Sequence, residues 1–374
     1  MERLYQMNKR LTHPTSAADI TPAYLTSLMA EMVPGVTVTE VTTIEAKAYG
    51  EQFVSTAGRV TVDVRYDADS PPDLPTRLVI KISRGVDKIM APFYENEVNF
   101  YKRIRPELNI EAPRVFGAGF DASSSDFAIV LEDLTLRGAT FPNVLSPVSL
   151  ESVRSILSQQ AKLHAHYWES PRLRPNGDLA WAGSHVEGEV AELLMHGAEP
   201  LIQHEIDNVS FKREMVQRLH TSGSELRDGT LALHQHQQGL PQTLVEGDMH
   251  IGNTYLLPDG SGGLLDWQLT CRGHHMHDVS YLITTSLSVE DRRANEQELV
   301  RFYLDRLAAE GVTAIPSFEV SFTEFGRCLM WGVYIGWLTT PVVNYGWEIN
   351  VMNHFRLTTA FEDHDTAQLI AEIS

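Results

Sequence analysis

The sequence predicts an α+β fold of two lobes, with an antiparallel sheet in an N-terminal lobe (residues 1–133) and mainly helices in a larger C-terminal lobe (residues 134–374). At 374 residues, the chain is longer than one ordinary hydrophobic core requires. Segments rich in β-branched residues recur before residue 131, whereas apolar residues recur at helical spacing after Ser149. We therefore expect one strand-rich lobe followed by one helical lobe.

The N-terminal lobe is expected to begin with a helix over residues 20–33. Thr21 is a suitable N-cap for this helix, and Pro22 suits its first turn. Strands are expected to follow, and residues 60–64 show the clearest alternation of apolar and polar side chains. The predicted strands cover residues 36–48, 52–66, 77–83, 114–120 and 127–131.

The C-terminal lobe is expected to begin with an amphipathic helix that Ser149 caps. Glu151 places a negative charge in the first turn, where it complements the helix dipole. His164 and His166 lie on or beside the apolar face of this helix. We expect them to be hydrogen-bonded core histidines rather than ligands.

Two further helices are predicted over residues 187–220 and 223–238. We expect His234 and His236 in the second helix to face solvent. The intervening residues 170–187 are rich in Pro, Arg, Gly and Trp, which indicates an irregular segment.

Composition excludes several classes of protein. The formal net charge of -19 argues against nucleic acid or an anionic membrane as the main partner, because either would favour a basic surface. Cys271 and Cys328 are too few for a disulfide scaffold, and residues 1–19 lack the apolar core of a signal peptide. A cytoplasmic protein is therefore expected. The apolar run over residues 328–343 is short for a membrane span and is predicted to be a buried helix.

Residues 244–268 carry the strongest chemical signal in the sequence. They indicate a loop containing Asp248 and Asn253, a β-hairpin turned at residues 258–260, and a second strand that leads to Asp266. Two carboxylates and an amide thus meet at one end of a hairpin. This combination suits the transfer of a phosphoryl group from a magnesium nucleotide, which needs a base for the acceptor hydroxyl and oxygen ligands for the metal.

Lys81 lies among branched apolar residues near the end of the third predicted strand. An unpaired buried lysine would be costly, so Lys81 either faces water on an edge strand or has an anionic partner. Residues 94–101 follow as a predicted helix that offers Glu95 and Glu97. We select Glu97 as the partner, because it directly precedes the apolar side of the helix. A strand lysine held by a helix carboxylate suits contact with nucleotide phosphates.

Two other segments are candidates for nucleotide binding. The turn over residues 50–58 contains Ser55 and Thr56, which with the backbone amides suit a position over phosphates, although an ordinary hairpin explains the glycines equally well. Glu132 and Leu134 follow the last N-terminal strand at the expected boundary of the lobes. Backbone groups there suit an adenine edge, and an ordinary strand end is the alternative.

The loop over residues 246–253 resembles the His-Gly-Asp-x-His-x-x-Asn loop of the aminoglycoside phosphotransferase and choline kinase superfamily. Residues 265–268, Leu-Asp-Trp-Gln, resemble the metal-binding segment of that superfamily. Together with residues 132–134, they are most similar to the ecdysteroid-kinase-like branch. The resemblance extends over roughly residues 40–285, and it implies a protein-kinase-like fold and the ATP- and Mg-dependent phosphorylation of a small-molecule hydroxyl.

The resemblance also implies roles for individual residues. Asp278 matches an aspartate that braces the catalytic loop in the superfamily. The remaining roles are a catalytic base at Asp248, magnesium ligands at Asn253 and Asp266, a phosphate contact at Lys81 and its ion-pair partner at Glu97.

One residue departs from the superfamily pattern, because Glu246 replaces the first histidine of the loop. A glutamate is tolerated there if it meets solvent or a cation, and Arg272 is the nearest candidate in sequence. Without either, a buried Glu246 is expected to take up a proton or to distort the loop. This departure keeps a catalytically silent nucleotide-binding protein as the alternative function.

The histidines that follow the hairpin allow a competing metal hypothesis. His274, His275, His277 and Asp278, with His250 upstream, are residue types that bind transition metals. Adjacent histidines point in different directions on a regular backbone, however, so the simpler expectation is a loop with one or two histidines lining the acceptor pocket.

The acceptor pocket is expected in the C-terminal helices. Residues 316–347 contain eight aromatic side chains, most of which we expect in the core and some of which suit a largely apolar, hydroxyl-bearing acceptor. An aminoglycoside would instead require several carboxylates. The residues that supply these are Glu348, Glu362, Asp363 and Asp365.

Overall fold

The computed structural model describes residues 11–47, 57–83 and 88–374. The chain divides into two compact units. The N-terminal unit comprises Met1–Glu107 and Pro113–Leu136, and the C-terminal unit comprises Leu108–Ala112 and Arg137–Ser374.

In its described residues, the N-terminal unit contains five strands, two α-helices and short helical turns. The strands are β1 (Val38–Lys47), β2 (Gly58–Tyr66), β3 (Arg77–Ile82), β4 (Val115–Asp121) and β5 (Asp126–Glu132), and the helices are α1 (Pro22–Met29) and α2 (Ala91–Asn99). A π-helical turn continues α2, and the 3-10 turns flank the regular elements. These turns are Phe100–Ile104 (π), Ala17–Asp19, Lys88–Met90, Arg105–Glu107 and Leu134–Arg137 (3-10).

The five strands form one antiparallel sheet in the order β1-β2-β3-β5-β4. Strand β3 is therefore central, since it pairs with β2 on one side and with β5 on the other. Helix α1 begins as predicted, because Thr21 Oγ1 accepts a hydrogen bond from the Tyr24 amide at 3.2 Å. Its apolar face packs on the sheet, where a Cβ on Gly117 of β4 would lie only 2.9 Å from the Leu28 carbonyl oxygen. Glycine thus permits the close approach of helix and strand.

The C-terminal unit is mainly helical. Its α-helices are α3 (Leu150–His166), α4 (Glu189–Glu192), α5 (Ala198–Asn208), α6 (Ser210–Arg218), α7 (Gly223–Gln237), α8 (Met276–Ser286), α9 (Val289–Ala309), α10 (Phe318–Trp331), α11 (Val342–Tyr345), α12 (Trp347–Asp363) and α13 (Thr366–Ala371). The other turns are π-helical at Leu193–Gly197 and Gly332–Trp337 and 3-10 at Pro171–Leu173, Ala180–Ala182 and Ile251–Asn253.

Four short strands interrupt these helices and form two antiparallel pairs. Strand β6 (Thr243–Val245) pairs with β9 (Cys271–Gly273), and β7 (Thr254–Leu256) pairs with β8 (Gly262–Leu264). The β7–β8 pair is the predicted hairpin. Its turn contains Gly260 at a φ of 87°, which a glycine adopts without strain.

The helical predictions are confirmed in part. Ser149 caps α3, since its hydroxyl accepts from the Ser152 amide at 3.0 Å, and His164 is buried and hydrogen-bonded. His166 is exposed, however, and the helix predicted over residues 187–220 is divided into α4, a π-helical turn, α5 and α6. The solvated position predicted for His234 is wrong, because this side chain is buried.

The C-terminal core lies where α5, α7, α10, α12 and the Gly332–Trp337 turn pack together, and it includes Trp331, Tyr334 and Trp337. The apolar run predicted as a buried helix over residues 328–343 is confirmed only in part. Its first part, to Leu338, is largely buried, but the α-helix ends at Trp331 and Val343 is exposed. Among the described residues, no helix has both the length and the apolar character needed to cross a membrane. Cys271 and Cys328 are free thiols, and both are buried in this unit.

Candidate active site

The loop after β6 has a fixed backbone conformation. Gly247 has a φ of 93°, and a Cβ at this position would lie 2.2 Å from the Leu269 carbonyl oxygen. Both observations require glycine, because an L side chain would be strained and would also overlap the neighbouring backbone. The next residue, Asp248, is therefore presented in a single direction.

Asp278 in the first turn of α8 accepts hydrogen bonds from the backbone of this loop. Its Oδ2 accepts a hydrogen bond from the Glu246 amide at 2.7 Å, and its Oδ1 accepts one from the Gly247 amide at 3.0 Å. Asp278 Oδ2 also lies 3.2 Å from His164 Nε2, and His164 Nδ1 lies 2.7 Å from the Tyr303 hydroxyl. The bracing position implied for Asp278 is thus present in the structure.

Asn253 connects the two ends of the loop. Its side-chain Nδ2 donates to the Asp248 carbonyl oxygen at 2.9 Å and lies 3.4 Å from Asp248 Oδ2. The backbone amide of Asn253 donates to the His250 carbonyl at 2.9 Å and closes a 3-10 turn. The carboxylate of Asp248 and the amide of Asn253 are therefore neighbours, as the sequence spacing predicts.

Asp266 follows the second strand of the hairpin. The Leu265 amide donates to the Asn253 carbonyl at 2.8 Å, so the chain reaches Asp266 directly beside Asn253. Asp266 has a φ of 58°, which is unusual for a residue other than glycine and is often found at functional sites. The structure thus brings Asp248, Asn253 and Asp266 together within the C-terminal unit.

The acidic groups in this cluster repel one another. Partial burial raises the pKa of Asp248 well above its ordinary value, and the nearby charge of Asp266 raises it further, whereas the hydrogen bond from Asn253 opposes the shift. A divalent cation beside these oxygens would relieve the repulsion. Carboxylate and amide oxygens are also the ligands that Mg²⁺ prefers, so the donor set fits this ion.

Glu246 does not pair with Arg272, contrary to the expectation from sequence. The Arg272 side chain instead donates to Glu187 at 3.2 Å and to Gln238 at 3.3 Å. Glu246 is fully buried, its Oε2 accepts from the Asp248 amide at 2.8 Å, and its Oε1 has no hydrogen-bond partner in the described part of the chain. Burial, then the charges of Asp278 and Asp248, raise the pKa of Glu246 well above its ordinary value. The surroundings of Glu246 therefore favour its neutral form over its charged form.

In the N-terminal unit, Lys81 and Glu97 form a buried ion pair. Lys81 Nζ lies 2.7 Å from both carboxylate oxygens of Glu97, and the exposed fractions of the two side chains are 6% and 1%. Glu95 is exposed, so the choice of Glu97 as the partner is confirmed. The alternative of an edge-strand lysine facing water is wrong, because β3 is a central strand and Lys81 is buried.

The structure describes only two of the other four residues predicted to contact nucleotide, Glu132 and Leu134. Ser55 and Thr56 lie outside the described residues. Glu132 ends β5, and its Oε1 accepts from the Arg114 amide at 2.8 Å. Leu134 is buried at the start of the Leu134–Arg137 turn.

Aromatic side chains lie beside the Asp248 loop. The His250 ring centroid is 5.8 Å from both Tyr281 and Trp337, and Trp337 is 5.4 Å from Tyr345. Burial lowers the pKa of His250 to about 4, so its imidazole is neutral near pH 7. Of the aromatic residues between 316 and 347, Phe325, Trp331, Tyr334 and Trp337 are buried, whereas Trp347 is exposed.

The histidines after the hairpin do not form one cluster with each other. His277 instead meets His185 and His234, which come from distant parts of the sequence. Sequence analysis missed His185 altogether and assigned His234 to the surface. No local spacing indicates this group, since its members come from three separate segments.

The sequence of the chain is similar to those of known proteins. The model of the ecdysteroid kinase-like family matches residues 49–312, which is more than half of the chain. A curated relative in Caenorhabditis elegans, described as the uncharacterized oxidoreductase dhs-27, is 23% identical over 267 residues, or 66% of this chain and 31% of the relative. The chain thus spans about a third of the length of that relative.

Two solved structures share the fold. An ethanolamine kinase from Plasmodium vivax is 14% identical with a TM-score of 0.51, and the match covers 86% of this chain and 83% of that chain. A choline kinase from Cryptosporidium parvum Iowa II is 12% identical with a TM-score of 0.53, and the match covers 89% of this chain and 91% of that chain. The predicted kinase-like fold is confirmed, with an antiparallel sheet in its N-terminal part and a larger helical part.

Proposed function

Because the chain belongs to the ecdysteroid kinase-like family, we propose that it is a Mg-dependent phosphotransferase that uses ATP to phosphorylate a hydroxyl group of a small molecule. In this reaction the acceptor oxygen forms a bond to the terminal phosphorus of ATP, and the bond from that phosphorus to the bridging oxygen of ADP breaks. The grouping of Asp248, Asn253 and Asp266 is the observation that carries the proposal.

Asp248 is the proposed catalytic base. It would accept the proton of the acceptor hydroxyl as the new bond to phosphorus forms, a contribution that is typically about 10²- to 10⁴-fold in rate. The Gly247 backbone, the Asp278 hydrogen bonds and the Asn253 amide support this role, because together they fix where the Asp248 carboxylate points.

Asn253 and Asp266 are the proposed ligands of the magnesium ion. When bound, magnesium neutralises charge on the transferred phosphoryl group. The side-chain Nδ2 of Asn253 faces Asp248, which leaves the Oδ1 atom of Asn253 as the ligand on the other side of the amide. The carboxylate of Asp266 supplies a negative charge that balances part of the positive charge of the magnesium ion.

The N-terminal unit is proposed to bind the nucleotide. Lys81 would contact the phosphates, and its ion pair with Glu97 supports this role by fixing the ammonium group in place. Ser55 and Thr56 are proposed to lie over the phosphates. Backbone groups at Glu132 and Leu134 are proposed to bind the adenine edge.

The acceptor is proposed to be largely apolar and to carry a hydroxyl group. The aromatic rings of Tyr281, Trp337 and Tyr345 beside the Asp248 loop support this class, since such rings bind apolar faces well. The test is a screen of purified protein with labelled ATP and magnesium against aminoglycosides, macrolides, choline, sugars and sterols. We expect acceptor-dependent transfer that Asp248→Asn lowers by about 10²- to 10⁴-fold. Absence of transfer across apolar alcohols would contradict the acceptor class.

A catalytically silent nucleotide-binding protein is the second candidate function. Glu246 favours this candidate, because a buried glutamate stands where the superfamily loop has a histidine. Measurement of Mg-dependent nucleotide binding together with slow ATP hydrolysis distinguishes the two. Binding without hydrolysis or transfer would support the silent protein.

A further inference from the structure

Three buried histidines meet in the C-terminal unit. His185 follows the Ala180–Ala182 turn, His234 lies on α7 and His277 lies on α8, with exposed fractions of 7%, 1% and 1%. One ligand atom of each residue lies within 4.8 Å of the others. The ring centroids of His185 are 4.4 Å from His234 and 4.2 Å from His277.

The hydrogen bonds of these histidines are incomplete. Within the described residues, neither ring nitrogen of His234 has a hydrogen-bond partner. The Nδ1 atom of His277 has none either. Leaving buried polar atoms unpaired costs about 1–3 kcal/mol each. A ligand between the rings would satisfy them.

The tautomer of His277 can be assigned from its one hydrogen bond. Nε2 lies 2.9 Å from the Gly247 carbonyl oxygen, which only accepts, so Nε2 carries the hydrogen. The lone pair of His277 therefore lies on Nδ1, the atom without a partner.

A sulfur atom, Sγ of Cys271, lies beside this group, although only the three histidines have ligand atoms within 4.8 Å of one another. Its Sγ lies 3.5 Å from His185 Nε2, and it is buried on β9. A Cβ on Gly273 would lie 2.8 Å from His185 Cε1, so a glycine here leaves room for the imidazole. Imidazole nitrogens and a cysteine thiolate are both ligands that zinc takes in tetrahedral sites.

We propose that His185, His234 and His277 bind one zinc-class transition-metal ion, with Cys271 as the fourth ligand. As the metal–sulfur bond forms, the Cys271 thiol releases its proton to solvent. Metal–nitrogen bonds of about 2.0–2.1 Å require the ring nitrogens to approach one another more closely. They also require the His185 and His234 rings, which stack with an interplanar angle of 17°, to rotate until both lone pairs point at the ion. The site is separate from the magnesium ligands and does not depend on the proposed function.

The metal would act on the Asp248 loop through His277. Ligating histidines usually donate their other ring N–H to a carbonyl or carboxylate, which fixes the ring. Here that acceptor is the carbonyl of Gly247, the residue before Asp248. The proposed ion is thus a structural brace that joins α7, α8 and the loop.

The first test measures metal in the wild-type protein. Protein without an affinity tag is incubated with zinc in excess magnesium, filtered and analysed for metal content. We expect about one tightly held zinc ion per chain. With cobalt in place of zinc, we expect the visible spectrum of a tetrahedral site with a thiolate charge-transfer band, and Cys271→Ser should lose only that band. Absence of stoichiometric metal would overturn the proposal.

The second test compares two variants. His234→Gln should weaken zinc binding by more than the roughly 10- to 100-fold that loss of an outer-shell group costs. His275→Gln is the matched control, because His275 is also buried with both ring nitrogens unpartnered among the described residues, yet lies outside the group. It should keep its zinc and its zinc-dependent rise in melting temperature. Full zinc binding by a folded His234→Gln protein would contradict the assignment. If His234→Gln does not fold, the cobalt spectra of the wild-type and Cys271→Ser proteins decide the question.

Discussion

Asp278 Oδ1 accepts the amide hydrogen of Gly247 at 3.0 Å, one residue before Asp248. The other carboxylate oxygen accepts the Glu246 amide at 2.7 Å, so one buried side chain binds two successive peptide groups. Hydrogen bonds to a charged group contribute about 1.5–3 kcal/mol each. The conformation of the candidate catalytic loop is thus set from α8.

The first prediction concerns this support. Asp278→Asn leaves a single acceptor oxygen for the two backbone amides of Glu246 and Gly247. Its NH₂ group would face one of these two N–H donors. We expect turnover to fall by at least about tenfold and the free energy of unfolding to fall by about 2–4 kcal/mol. Steady-state kinetics and chemical unfolding measure the two effects. Nucleotide affinity should change little, and an unchanged turnover would show that the loop does not need this brace.

The second prediction concerns the proposed base. Asp248→Asn keeps the shape of the side chain but cannot take up the acceptor proton, so we expect a loss of about 10²- to 10⁴-fold in turnover with nucleotide still bound. Asp259→Asn is the control, because Asp259 is an exposed carboxylate in the turn of the same hairpin. Near-normal turnover in Asp248→Asn would remove this residue from the role.

The third prediction concerns the buried ion pair. Lys81→Met leaves the Glu97 carboxylate buried without its cation, which should destabilise the protein by about 3–5 kcal/mol. Adding Glu97→Gln should recover most of the stability but not the activity, because the phosphate contact is still missing. The midpoint of chemical unfolding and the turnover number measure the two effects.

Arg77→Met provides the matched control for the ion pair. Arg77 lies on the same strand and pairs with Asp63, but both side chains are partly exposed, so its loss should cost no more than about 1 kcal/mol. If Arg77→Met and Lys81→Met are equally destabilised, burial does not determine the cost.

The fourth prediction concerns the protonation of Glu246. Because its folded pKa is raised above an ordinary value of about 4.5, the unfolded chain loses this proton at lower pH than the folded chain. Stability is therefore lost as pH rises above about 4.5, until the folded pKa is passed. Glu246→Gln cannot lose a proton, so its stability advantage over the wild type should grow across that range. The free energy of unfolding of both proteins, measured from pH 4 to pH 8, tests the predicted direction of this change.

Substitutions of Glu246 also test its hydrogen bond to the Asp248 amide. Glu246→Gln should keep its turnover, because an amide can accept the Asp248 N–H as the acid does. Glu246→Ala removes that acceptor and should lower turnover. Equal activity in all three proteins would mean that the hydrogen bond to Asp248 is dispensable.

Local patterns predicted much of this architecture. Thr21 and Ser149 cap their helices as predicted, and the hairpin turns at residues 258–260, because these signals depend on neighbouring residues alone. Lys81 and Glu97 were paired from sequence because a buried lysine requires an anion and the following helix offers few choices. The roles of these residues in catalysis and binding stay predictions.

Long-range packing determined what the sequence did not reveal. Arg272 lies opposite Leu244 in the β6–β9 pair and reaches Glu187 and Gln238, although Glu246 is near it along the chain. His234 lies in a segment rich in His and Gln, yet its face of α7 packs against Trp331 and His185. Neither contact leaves a periodic or local signal.

Both free thiols of the C-terminal unit are buried, so their reactivity can report local opening of this unit. Cys271 and Cys328 react with an alkylating reagent only when the surrounding structure exposes them, so the rate of modification reports how often that opening occurs. Substitutions and added ligands can thus be ranked by protection from alkylation, without an engineered label or knowledge of the acceptor.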